Sequence, residues 1–389
     1  MKSYFYFILA ILLSACNHSS NNTAVQSGSS AAGVSGIGTT AQSADKPAGQ
    51  SGGGQKGGYL KFKPAVLNDP ASTGTALTLL LPEGWNMQGH VIWRMDNPAY
   101  PATGQLKATD ATGNMSFEMF PMENFYYTRD ARGLRSFPYG SKYMGYTVVS
   151  DMPTAANAIT RYLLPYQRKN VQGLKIVEEK VLIPEQTQSM GPGKVLRKEG
   201  VVVRVEYTEN GKPYEENIYG TRAYTSIAGK PFMYWILTNS YGFKAPKGQL
   251  KAQMKLFQTM LSSIQIDKKW YANAVQMSRN LNARGVAQAK AAGARSRIMA
   301  RASDAENKAI SDAYWNQQKS NDLVNDKFAD YERDVNTYID PTSHEQYKLP
   351  AGYTNAWKND LGEYIVSDVN GFDPGQISTQ HWTELQQRQ

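Results

Sequence analysis

The sequence predicts an α+β fold: an antiparallel sheet covered on one side by two helices, then a long helical arm and a small C-terminal β-meander. Three observations point there. Val201 to Thr208 alternates, with Val201, Val203 and Val205 on one face and Val202, Arg204 and Glu206 on the other. It runs into Asn210-Gly211, the strongest short-range hairpin signal. Leu250, Met254, Phe257, Leu261 and Ile264 recur at helical spacing, a core-facing stripe.

The 389 residues leave room for two or more domains, and 41% hydrophobic residues can supply a core. Mean hydropathy of -0.51 marks much of the chain as polar. Met1-Lys2 and the apolar run Tyr4 to Leu13 read as a secretory signal, too short to span a hydrocarbon core of about 30 Å. The run ends in Leu13-Ser14-Ala15-Cys16, which resembles the bacterial lipobox. The resemblance implies cleavage after Ala15 and acylation of Cys16, giving segments 1–15 (signal) and 16–58 (tether). An ordinary signal beside a coincidental cysteine is the alternative. Asn17 is not the aspartate that retains such proteins at the inner membrane, so the outer membrane is expected where the cell has one. Cys16 is the only cysteine. With Cys16 acylated no thiol remains, and disulfides, thiolate catalysis and cysteine-bound metals are then excluded.

Residues 17 to 58 are rich in Ser, Gly, Ala, Thr, Asn and Gln and read as a flexible tether. Gly52 to Gly58 lacks the Gly-Lys-Ser/Thr ending of a phosphate loop. The α+β domain is expected over residues 59–266. Strands are expected at Leu60–Phe62, Thr75–Pro82, Val91–Met95 and Met115–Met119. Thr154 to Leu164 reads as a helix behind Asp151 and Pro153, stopped by Pro165. Leu174 to Ile183 is the next strand. The hairpin follows, and Pro231 to Thr238, almost wholly apolar, reads as a central strand. Gly248 to Ser263 is the second helix.

Residues 267–338 form the expected arm. Trp270, Ala274, Met277 and Leu281 keep a four-three spacing, as do Val324, Phe328, Tyr331, Val335 and Tyr338. Lys268 to Arg301 holds eight basic residues and no acidic one. Asp304 to Asp334 holds eight acidic and four basic residues. An antiparallel fold-back or partner would pair the two halves; a solvated helix is the alternative. Residues 339–389 turn β again, with Trp357 and Trp382 as core. The Leu81–Trp85 entry, the Asn210-Gly211 hairpin, Ala245-Pro246-Lys247-Gly248 and Ser262-Ser263 before Trp270 resemble PsbP/Mog1-like domains. The tail, through Tyr314-Trp315, Asp340-Pro341-Thr342, Trp357, Leu361-Gly362-Glu363, Asp373-Pro374 and Trp382, resembles a set of bacterial envelope lipoproteins with no assigned activity. In those relatives a Gly follows the Asp-Pro-x-Thr step; here Ser343-His344 stands there.

The stretch Phe117 to Tyr146 interleaves aromatic and basic side chains. Tyr126, Tyr127, Tyr139 and Tyr143 with Arg129, Arg132 and Arg135 are the candidate binding surface. Aromatic faces stack on sugars, and arginine forks bind carboxylate or phosphate. The plainer alternative has these rings filling the open side of the sheet. No serine sits in a nucleophile elbow, and Glu178-Glu179 and Glu215-Glu216 each point to opposite faces. His18, His90, His344 and His381 show no metal-ligand spacing, so no metal, cofactor or catalytic residue is assigned. The pI of about 9.2 suits anionic partners. An exported chain meets acidic envelope polymers before nucleic acid. The expected partners are the membrane through Cys16, an envelope polymer, and a protein partner or second copy through residues 268–338. The sequence favours a binding or scaffolding role; a hydrolase or accessory factor of wall or secretion machinery is the alternative.

Overall fold

The structure, a computed structural model, describes residues 58–72, 74–291, 308, 312, 324, 325, 327, 328 and 335–388. The signal, Cys16, the tether up to residue 57 and most of 292–334 lie outside the described residues.

Strands dominate. The chain opens with β1 (Tyr59–Asp69), β2 (Gly74–Pro82), β3 (Asn86–Trp93), β4 (Ala102–Thr109), β5 (Ser116–Met119) and β6 (Glu123–Thr128). A short α1 (Ala131–Ser136) leads to β7 (Lys142–Tyr143) and β8 (Tyr146–Val149). Then come α2 (Ala155–Ala158), a π-helical turn (Ile159–Leu163) and α3 (Leu164–Gln167). The long strands β9 (Gln172–Ser189), β10 (Lys194–Glu209), β11 (Lys212–Ile227) and β12 (Phe232–Pro246) follow. After them lie α4 (Leu250–Ser262), β13 (Gln265–Ile266) and α5 (Lys268–Ala291). The end of the chain supplies β14 (Val335–Ile339), β15 (Gln346–Pro350), β16 (Asn355–Asn359), β17 (Tyr364–Ser367) and β18 (Trp382–Gln387).

Among the described residues these strands build two sheets. The first has the order β13-β2-β1-β17-β16-β18-β14-β15. The second runs β3-β4-β5-β12-β11-β10-β9. β6 pairs with the first half of β12, beyond β5, and β8 lies parallel to β6. Asn210 and Gly211, at φ of 51° and 76°, make the β10–β11 turn. Both left-handed positions match a type I′ hairpin.

This is a mostly β architecture and not the α+β domain, helical arm and separate meander that the sequence predicts. Three packing facts overturn the expectation. First, β1 pairs with β17, Leu60 against Val366 and Phe62 against Tyr364, so the C-terminal strands complete a sheet and form no meander of their own. Second, α4 covers no single sheet. Met254, Phe257, Met260 and Leu261 pack with Phe117, Tyr219 and Phe243 of the second sheet. Leu256 packs with Phe62, Tyr338 and Leu349 of the first. The stripe at four-three spacing is real, but the helix is buried on both sides. Third, among the described residues both ends of the expected arm pack into the body. Trp270 and Ala274 of α5 are buried against Ala76 and Ala102. Val324 and Phe328 lie in the core, with the Phe328 ring 5.3 Å from Tyr219. Val335 and Tyr338 belong to β14, where pairing with β15 prevails over their helix-like spacing.

On the other face of the second sheet, Ala155, Ile159, Leu163 and Leu164 pack over Val201, Val203, Val205 and Trp235. Thr154 caps this element by accepting the Asn157 N–H at 3.2 Å. Pro165 does not stop it; the proline sits in the first turn of α3, and the preceding turn widens to π.

Candidate functional site

The aromatic and basic stretch is strand in its first half, where Pro121 divides β5 from β6. Alternation along β6 sends its rings to opposite faces. Phe125 stacks on Trp235 at 4.0 Å inside the core beneath α2 and α3. Tyr127 follows it to the same face, and the Arg129 guanidinium lies 5.7 Å over its ring. Tyr126 turns the other way and meets Tyr143 at 4.9 Å, Tyr234 at 5.2 Å and Phe232 at 5.6 Å. Phe137 packs edge-on to Tyr143 at 4.9 Å.

Asp130 starts α1 by accepting the Gly133 N–H at 3.1 Å. Arg132 and Arg135 ride on that helix, and Arg135 is exposed. Tyr139 is 50% exposed, and its hydroxyl donates to the Thr128 carbonyl at 3.4 Å. Gly145 holds the return to β8 close: a Cβ there would sit 2.6 Å from that of Asn97.

The structure therefore divides the seven predicted residues around one sheet edge. Tyr126 and Tyr143 share one face, Tyr127 and Arg129 the other, and Arg132, Arg135 and Tyr139 the tip between them. Phe117, Phe120, Phe125 and Tyr146 are buried in the core.

A buried ionic cluster lies where sequence reasoning placed nothing. Arg168, at the end of α3, is 9% exposed. Its Nε donates to Glu216 Oε2 at 2.8 Å, and a terminal nitrogen bonds both Glu216 Oε1 and Glu118 Oε2, the latter at 3.1 Å. Lys107 reaches Glu118 at 2.6 Å, and Tyr207 donates to Glu216 at 2.9 Å. The guanidinium rests 5.4 Å over Phe120. Burial pushes the Glu118 carboxyl up, but the Arg168 and Lys107 charges outweigh it and hold it below the carboxylate range. Burial opposes charge on Arg168 as well, and the two carboxylates more than offset that. The strand patterns hid this cluster because its members come from five separate elements. Glu215, next to Glu216, turns to the opposite face and accepts the Leu250 N–H of α4 at 2.8 Å.

A cavity of about 120 Å³ lies between the sheets, lined by Leu77, Val91, Met119, Tyr241, Ile266 and Trp270 among others. Its polar neighbours are engaged: Thr103 accepts the Met122 N–H at 2.9 Å, and Tyr241 donates to Asn325 at 3.1 Å. Among the described residues no three His, Asp or Glu side chains stand close enough to hold a metal ion. His90, His344 and His381 are exposed, and His344 takes the left-handed conformation, φ 61°, after the Asp340-Pro341 step. No described helix is long and apolar enough to cross a membrane.

No family model matches the chain, and no curated protein matches it. One solved structure, LpqN of Mycobacterium tuberculosis, described as involved in cell envelope biogenesis, overlaps 53% of this chain and 91% of its own. The identity is 10% and the TM-score 0.23, a degree of likeness that carries no argument about fold or role.

Proposed function

We propose that the chain is an exported envelope protein, anchored through a lipid on Cys16, whose β6–α1–β7 edge binds an acidic polymer without turning it over. The observation that carries the reading is the pairing state of the edge. Arg129 has a tyrosine ring beneath it and no carboxylate partner among the described residues, and it stands near exposed Arg135 and half-exposed Tyr139. A guanidinium without a carboxylate partner, beside an exposed ring, suits carboxylate or phosphate on a sugar-like backbone. The one buried carboxylate pair described above, Glu118 and Glu216, is bridged by Arg168, which leaves neither in position for acid–base work.

The test is co-sedimentation with polygalacturonate (carboxylate) and polyphosphate. Replacing Arg129, Arg132 and Arg135 with alanine should weaken binding to one of them at least tenfold. A control set on α5, Lys268, Lys269, Arg279 and Arg284 to alanine, removes the same kind of charge elsewhere. Equal loss from both sets would reduce the effect to net charge and sink the edge reading. For the anchor, Cys16→Ser should move the protein out of the salt-washed membrane fraction.

A further inference from the structure

We propose that β9 is a pairing edge whose occupant is β9 of a second copy of this chain, giving a closed two-fold dimer. β9 ends the second sheet and is held by β10 alone. Among the described residues, its outer row of N–H and C=O groups has no strand beside it. Every residue from Gln172 to Val181 is exposed. Leu174, Ile176, Val177 and Val181 are 36%, 48%, 53% and 52% exposed. These four stand out among the exposed large apolar side chains, and they fall in one ten-residue run. An edge this long and apolar is a template for another strand.

Natural edges are blunted by bulges, lysines and proline. β9 has bulges at Val177 and Leu182, then Pro184. They bracket a regular run, Glu178 to Val181, set against Arg204, Val203, Val202 and Val201. Open-ended growth is blocked, while one short register stays available.

The side chains select that register. Antiparallel copies related by a two-fold axis normal to the sheet place one residue opposite itself. With Glu179 on the axis, Glu178 faces Lys180 inside the regular run and the bulge residue Val177 lies beside Val181, each pair twice. Opposite charges and apolar groups then meet as cross-strand partners. With Glu178 on the axis, Val177 meets Glu179 and Ile176 meets Lys180. With Lys180 there, Glu179 meets Val181. Only the first register matches like with like, and its single unfavourable pair is Glu179 against itself.

The test uses the full chain carrying Cys16→Ser, purified in detergent, which leaves no cysteine. Single cysteines are then placed at 175, 177, 179 and 181, all exposed positions. Under mild oxidation Glu179→Cys should cross-link to a dimer at least tenfold faster than the others, because only the axial residue meets its own copy. Detergent-corrected light scattering should give twice the chain mass. Val181→Lys should halve that mass, and Glu179→Gln should lower the dissociation constant. A monomer at all concentrations, or cross-linking that does not peak at 179, overturns the proposal. So does a second strand supplied by an unrelated peptide while the chain itself stays monomeric.

Discussion

Trp270 donates its indole N–H to Asp69 at 2.8 Å, across 201 residues of sequence. Trp93 shares the same carboxylate, its Nε1 at 3.1 Å and 3.2 Å from the two oxygens, and the indoles meet edge to face at 6.4 Å. Asp69 is 1% exposed. One carboxylate thus ties the end of β1, the end of β3 and the first turn of α5. Asp267 caps that turn by accepting the Trp270 N–H at 2.8 Å.

Asp69→Asn keeps the shape and removes the charge. Hydrogen bonds to a charged group contribute about 1.5–3 kcal/mol, so urea denaturation at neutral pH should show a loss of that order. Trp270→Phe should cost a comparable amount and shift tryptophan emission.

Acid stability follows from the same group. Burial pushes the Asp69 carboxyl up, but hydrogen bonds from Trp270, Ser72, Trp93 and Ala71 outweigh it and hold it below its usual 3.8. A carboxyl depressed in the folded state stabilises above its unfolded value and loses that contribution as pH falls through the folded value. Glu118 acts in the same direction. Stability should therefore fall steeply below about pH 4. In Asp69→Asn that slope should be shallower; an unchanged slope would mean Asp69 takes no part in it.

Arg168→Met leaves Glu216 without a counter-charge and Glu118 with Lys107 alone. Breaking a buried pair in this way costs about 3–5 kcal/mol. Adding Glu216→Gln should return part of the loss. Equal denaturation midpoints for the single and double variants would contradict the coupling.

Gly242 abuts the same cluster. A Cβ there would lie 2.5 Å from Glu216 Oε1 and 3.0 Å from the Phe120 ring. Gly242→Ala should destabilise by about 1–3 kcal/mol, the usual range for overpacking, measurable as a lowered thermal midpoint.

Lys198 gives a prediction of the opposite sign. Burial lowers its amine to about 8. The unfolded chain then binds more protons between about pH 8 and 10.4, so stability should rise with pH across that window. Lys198→Met should be more stable than the native chain at pH 7 by about 1–2 kcal/mol, after allowing for solvent screening. The advantage should vanish near pH 10.5.

Local chemistry was legible in the sequence where neighbours in the chain decide the structure. Asn210-Gly211 announces its hairpin because both residues accept left-handed backbone. The valines of β10 alternate as read. What escaped depends on residues far apart. Nothing near Tyr59 announces β17 as the partner of β1. The stripe on α4 shows one apolar face, yet Leu256 and the fully buried Gln258 and Thr259 belong to a helix enclosed on both sides. For the candidate edge, composition singled out a set of aromatic and basic residues. Alternation along β6 divides them between two faces, which reading them as one binding surface did not foresee.

The pairing of β1 with β17 also sets an order of events. Ser367 donates its hydroxyl to the Gly58 carbonyl across 309 residues, so β1 leaves the ribosome long before the strand that flanks it is made. Contacts of such separation make folding slow and keep an apolar strand waiting. Until β14 to β17 are made, Leu60 and Phe62 lack Tyr338, Leu349, Tyr364 and Val366 as core neighbours. A truncation before Tyr364 should therefore accumulate as an insoluble product, not as a smaller folded protein.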